Sequence, residues 1–129
     1  MQTEDFIARV SAEVPSIDSN TARAATLATL ESLCAHLPEN ETESLAAQLP
    51  KELSEAANAG KLRANENHDG VQLREFYEQI AMRVNISHQD ATGYAKATAM
   101  TLKEAISGGE LSDVALELPN ELSELLAAT

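Results

Sequence analysis

Positive charge is scarce in this chain. Nine Lys and Arg face 21 Asp and Glu, leaving a net charge of −12. The deficit is even along the chain, −5 over residues 1–64 and −7 over residues 65–129. Both halves would repel DNA, RNA and anionic bilayers, which bind proteins through Lys and Arg. Cysteine occurs once, as Cys34, so no internal disulfide can form and a reducing compartment is the expected setting. Aromatic residues make up 3% of the chain and Trp is absent, so the core must be built from small and medium side chains. No apolar run approaches the roughly 20 residues that span a bilayer. The opening MQTEDFIARV carries acid where a secretory leader carries base. These absences together point to the cytoplasm.

Chemical motifs are scarce too. There is no His-Glu-x-x-His, no Cys-x-x-Cys and no phosphate-cradling glycine loop. Asn65 to Gly70 lacks the acid spacing of a calcium loop, and no Glu-x-x-His suits a di-iron bundle. His36 follows Cys34 by two residues, which puts them on different faces of a helix and makes a poor metal clamp. His68 falls in a linker and His88 near a helix start. Cys34 lies on an apolar face and is read as a small core residue, because a nucleophile would need a depressed pKa and a nearby base. Glu39, Glu41 and Glu43 alternate around a helix start and read as solvated acids suiting the helix dipole. The expectation is therefore no catalytic residue, no cofactor-binding residue and no metal ligand.

What the chain does contain is a repeat. At a shift of 70, Phe6 meets Phe76 and Val14 meets Val84. After a one-residue gap near Pro15 the shift is 69, and Ala28-Thr29 meets Ala97-Thr98, Glu41 meets Glu110, and Leu49-Pro50 meets Leu118-Pro119. Fifteen identical pairs fall within residues 5–57. The reading is an internal duplication: repeat 1 over residues 1–58, a linker over 59–71, and repeat 2 over 72–129.

Each copy reads as four helices. The first covers about 4–14 and 72–84, with Phe6, Val10 and Val14 on one face. The second covers about 19–37 and 88–106, apolar at Leu30, Leu33, Cys34 and Leu37 and small in its middle, which suits a central position. Asp18 and Ser87 are its N-caps, with Asp90 three residues after Ser87 as in a capping box. The third begins near Asn40 and at Ser107-Gly108-Gly109-Glu110, a turn that doubles as a capping box. Pro50 and Pro119 end it and open the fourth, since proline fits the first turn of a helix and not its interior. Glu52 and Glu121 then meet the positive end of the helix dipole. With no strand-like alternation, the class is all-α, a tandem four-helix unit packed as one bundle of about eight short helices.

The string Phe6 to Val10, the Ala-rich helix from Ala22 to Leu37, Glu41, and LAAQLPKEL from Leu45 to Leu53 resemble a bacterial family known as domain of unknown function 2267. In the second copy Phe76, Ser107 to Glu110 and Leu118-Pro119 carry the likeness, while Glu117 replaces Gln48. The resemblance implies two helical units in a small soluble bacterial protein and implies no chemistry. The functional expectation is a non-catalytic interaction or scaffold module whose protein partner is basic. A binder of a small apolar ligand between the repeats is the alternative, and an enzyme ranks last.

Overall fold

The structure, a computed structural model, describes residues 1–14, 18–63 and 72–127. These residues form eight α-helices and no strand. They are α1 (Thr3–Glu13), α2 (Ser19–Cys34), α3 (Glu39–Ala46), α4 (Lys51–Lys61), α5 (Leu73–Val84), α6 (His88–Ala105), α7 (Gly108–Glu117) and α8 (Asn120–Ala127). The all-α expectation holds, and no helix among the described residues is long and apolar enough to cross a membrane.

The two Ala-rich helices, α2 and α6, lie against each other at the centre. Packing around them is reciprocal: α1 lies on α6 and α5 lies on α2, while α3 meets α7. Helix α4 covers α2 and α3, and α8 covers α6 and α7. Several apolar positions matched in the sequence are buried alike. Phe6 and Phe76, Val10 and Ile80, and Leu53 and Leu122 are all fully buried. Three of the buried threonines on the central helices satisfy their own hydroxyls, while the Thr98 hydroxyl is buried without a partner among the described residues. Thr26, Thr29 and Thr101 each donate to the carbonyl four residues back, at 2.7, 2.7 and 2.8 Å. At these three positions a polar atom enters the core without leaving an open hydrogen bond.

Several predicted stops and starts are met. Asp18 Oδ1 accepts from the Thr21 N–H at 2.8 Å, and Ser87 Oγ accepts from the Asp90 N–H at 3.0 Å. At the Leu-Pro corners the proline precedes the helix rather than entering its first turn. Pro50 is the N-cap of α4, and Pro119 directly precedes Asn120, the first residue of α8. Their carbonyls accept the first helical bonds, from Ser54 at 2.8 Å and from Ser123 at 2.9 Å. The glutamates that follow also make side-chain contacts. Glu52 pairs with Arg23, and Glu121 Oε1 accepts the Leu73 N–H at the start of α5 at 3.0 Å.

Some boundaries and one cap differ from expectation, and α3 ends at Ala46, short of Leu49. Helix α2 stops at Cys34 and not Leu37. Pro38 is the reason, because the residue before a proline is barred from the helical region; Ala35 to Leu37 close in tight turns instead. The second half has Ser107 at that place, and α6 runs on to Ala105. At Ser107 the capping box is half formed. Its Oγ accepts from the Glu110 N–H at 3.1 Å. Its own N–H, however, goes to Gln48 Oε1 at 2.8 Å, and the Glu110 side chain turns into the protein. Lastly, α4 continues to Lys61, into the stretch read as linker from 59. Gly60 belongs to the packing of α4 on α2: a Cβ there would stand 2.2 Å from the Glu31 carbonyl oxygen and 2.8 Å from Cys34 Cβ.

The helix glycines therefore respond in opposite directions. Gly60→Ala forces α4 off α2 and lowers unfolding free energy by about 1–3 kcal/mol, despite alanine's better helix propensity. Gly93→Ala meets only Val14 methyls at 3.5 and 3.8 Å and raises it by about 0.5–1 kcal/mol. Urea unfolding followed by circular dichroism measures both.

Candidate functional site

Charge on this protein is arranged in two ways. Each arginine is tied to acid across helices or along one. Arg9 of α1 pairs with Glu104 of α6, and Arg23 of α2 pairs with both Glu4 of α1 and Glu52 of α4. Arg83 of α5 pairs with Glu31 of α2, which Arg63 also approaches at 3.6 Å. Arg74 sits 3.4 Å from Glu78 one turn on. The arginines are thus taken up within the fold, and most of the surplus acid faces outward.

The first place where this creates a shaped surface is a cleft of about 430 Å³ between α2 and α4. Helix α2 contributes Ala24, Leu27, Ala28 and Glu31, and α4 contributes Glu52, Glu55, Ala56 and Ala59. Each set follows i, i+3, i+4, i+7 spacing, one stripe of a helix face. Arg83 and Val84, from the end of α5, close one side. The floor is small and apolar because alanine allows close approach, and three carboxylates stand around it. Glu55 is exposed and has no ion-pair partner among the described residues.

The second place is the junction of α3 and α7. Glu41 and Glu110, matched in the sequence, face each other there, with Asp113 beside them. Candidate ligand atoms of the three acids all lie within 4.8 Å of one another. This corrects the reading of Glu41 as a solvated acid. Glu39 and Glu43 are exposed, but Glu41 is half-buried and Glu110 is 8% exposed. Helix periodicity explains the division, since the residue between two outward neighbours on a helix start points elsewhere. Burial, then hydrogen bonding and repulsion from Glu41, then the charge of Asp113, push the Glu110 carboxyl up to about 7. Oxygens this close could bridge a hard cation at the ~2.3–2.6 Å typical of calcium. The trio is all acid, however, and carries no metal assignment here.

The residues singled out in the sequence do not converge. Cys34 is fully buried, and burial pushes its thiol up to about 12 although Thr42 hydrogen bonding opposes this. His36 is half-buried, and burial together with the charge of Arg63 holds its imidazole below the ordinary value. His88 is exposed, its ring edge-on to Tyr77 with centroids 6.0 Å apart. His68 lies outside the described residues. Sequence reasoning paired Glu41 with Glu110 in register but gave no sign that the pair would meet.

Against this geometry, a family model described as "Uncharacterized conserved protein (DUF2267)" matches residues 3–125. No curated protein matches the chain.

The state of Cys34 gives a direct check on the core. In native buffer near pH 8 its thiol should resist a disulfide reagent, with modification at least about a hundredfold slower than in denaturant, because the thiolate is the reactive form and burial disfavours it. Rapid native labelling would show that α2 and α4 part readily around it.

Proposed function

As a member of the DUF2267 family, whose description assigns no activity, the chain is best read from its surfaces, and we propose that it is a non-catalytic module that binds a basic amphipathic helix of a partner protein in the α2–α4 cleft. The observation that carries this reading is the cleft itself. An apolar floor of small side chains admits a helix closely, and at its rim Glu55, unpaired among the described residues, stands where a lysine or arginine flanking an apolar stripe would fall, while Glu52 is already paired with Arg23. The net charge of −12 steers such a partner toward the protein from a distance. We read the two halves as copies of one ancestral unit, with repeat 1 supplying most of the cleft. A lone buried thiol and an acidic surface suit the cytoplasm of a bacterium.

A second reading is kept for one reason. Arg83 and Val84 come from the C-terminal half, so the cleft spans both halves and its volume falls within the range of small-molecule sites. A small apolar ligand held there is the alternative.

Fluorescence anisotropy with a labelled Leu/Lys amphipathic helix of about 15 residues separates the two. Binding should weaken strongly between about 50 and 500 mM salt, as screened charge pairs do. Glu55→Lys should weaken it about fivefold or more, by losing an attractive contact and adding a repulsive one. Glu43→Lys, exposed on α3, removes the same charge elsewhere and sets the non-specific baseline. Equal losses in the two variants, or no peptide binding at low salt, would defeat the helix-docking reading. An apolar fluorescent probe that Ala24→Lys excludes while salt has no effect would favour the alternative.

A further inference from the structure

We propose that a single proton held between Glu41 and Glu110 latches α3 to α7, and through them the N-terminal half of the chain to the C-terminal half. The pair is placed by the fold rather than by local sequence. Glu41 comes from α3 and Glu110 from α7, two helices that touch directly. Glu110 is 8% exposed, and one oxygen of each residue, Oε2, is buried without a hydrogen-bond partner. Two ionised carboxylates cannot share such a place, because each loses water and gains a like charge. A proton on one turns the repulsion into a short O–H···O⁻ bond to the other.

The charged groups that act on Glu110 are acids and not bases. Helix α7 carries Asp113 and Glu117 besides Glu110. Helix α3 presents Glu39, Glu41 and Glu43, and α8 presents Glu121 and Glu124. None of these three helices has a Lys, Arg or His; helix α4, which also packs on α3, carries Lys51 and Lys61 together with Glu52 and Glu55. Of these acids, Glu41 and Asp113 act on Glu110, and both favour its protonated form, as does burial. The other polar tie across the junction, between Gln48 and Ser107, has no titrating group: Ser107 N–H to Gln48 Oε1 at 2.8 Å, with Gln48 Nε2 to Ser107 Oγ at 3.3 Å. It persists at any pH, so loss of the proton loosens one of two fastenings and does not part the helices completely.

The sign follows from the direction of the shift. Glu110 in the folded chain holds its proton up to about 7, above its ordinary value of 4.5. As pH rises through that interval the unfolded chain releases the proton first, so the folded state loses stability until Glu110 ionises, and the loss then levels off.

Glu110→Gln tests this, since an amide N–H can donate to Glu41 without a proton. Thermal unfolding of wild type, Glu110→Gln and the charge-matched control Glu117→Gln would be compared from about pH 5 to pH 8.5, in EDTA. Near pH 8 Glu110→Gln should melt roughly 5 °C above wild type and above the control. The gap should close toward pH 5, where wild-type Glu110 carries its own proton. Hydrogen exchange of α3 and α7 amides, corrected for intrinsic rates, should be faster in wild type than in Glu110→Gln near pH 8 only. Wild-type carbon NMR gives a measurement needing no variant: the Glu110 carboxyl should titrate with a midpoint near 7. A midpoint in the ordinary carboxylate range, or a Glu110→Gln melting temperature that tracks wild type at every pH, would overturn the latch. So would stabilisation of wild type by calcium near pH 8 that Glu110→Gln abolishes, since a cation and not a proton would then hold the pair.

Discussion

Everything in this fold depends on how closely α2 and α6 can approach each other. Both helices are rich in buried alanine and threonine, with Ala22, Ala25, Ala28 and Thr29 on one and Ala91, Ala95, Ala97 and Thr98 on the other. Small side chains bring two helix backbones together, so a core with few aromatics can still be dense. Tyr94 is the exception in size, and it too is fully buried. Once α2 and α6 are joined, α1 and α5 have reciprocal surfaces to cover, and α3 and α7 are drawn to the same side and into contact. The cleft beside α2 and the acid pair between α3 and α7 are both consequences of that placement.

Electrostatics is subordinate to this packing yet organised by it. Because the few arginines are taken up within the fold, much of the remaining acid is solvated, protonated or offered to another molecule. Those three fates occur in different places. Glu39 and Glu43 are exposed to water. Glu110 is buried and keeps its proton up to about 7. Glu55 stands free at the rim of an apolar cleft. Exposed ion pairs contribute little stability individually, so the arginine pairs matter more for consuming positive charge than for holding the bundle.

The halves also differ where their sequences differ, and the differences are informative. Pro38 shortens α2 and has no N–H to offer, whereas Ser107 at the matching position caps α7 and receives Gln48. Symmetry in the sequence thus yields one cross-half clasp and not two.

By itself the sequence determined the helical class, the number and order of helices, the N-caps at Asp18, Ser87 and Ser107, and the corners at Pro50 and Pro119. These follow from local rules, because hydrophobic period, cap chemistry and proline's missing donor act within a few residues. Pro38 was a local signal as well, although it bears on α2 only once the helix is traced up to it. Tertiary structure alone decided that Gly60 is a packing glycine and not a linker glycine, since the Glu31 carbonyl that excludes a side chain comes from another helix. It also decided that Glu41 and Glu110 meet, that Cys34 is sealed, and that acid rims an apolar cleft. Each depends on which helix face opposes which, a long-range choice set by the close fit of α2 on α6 that no short stretch of residues encodes.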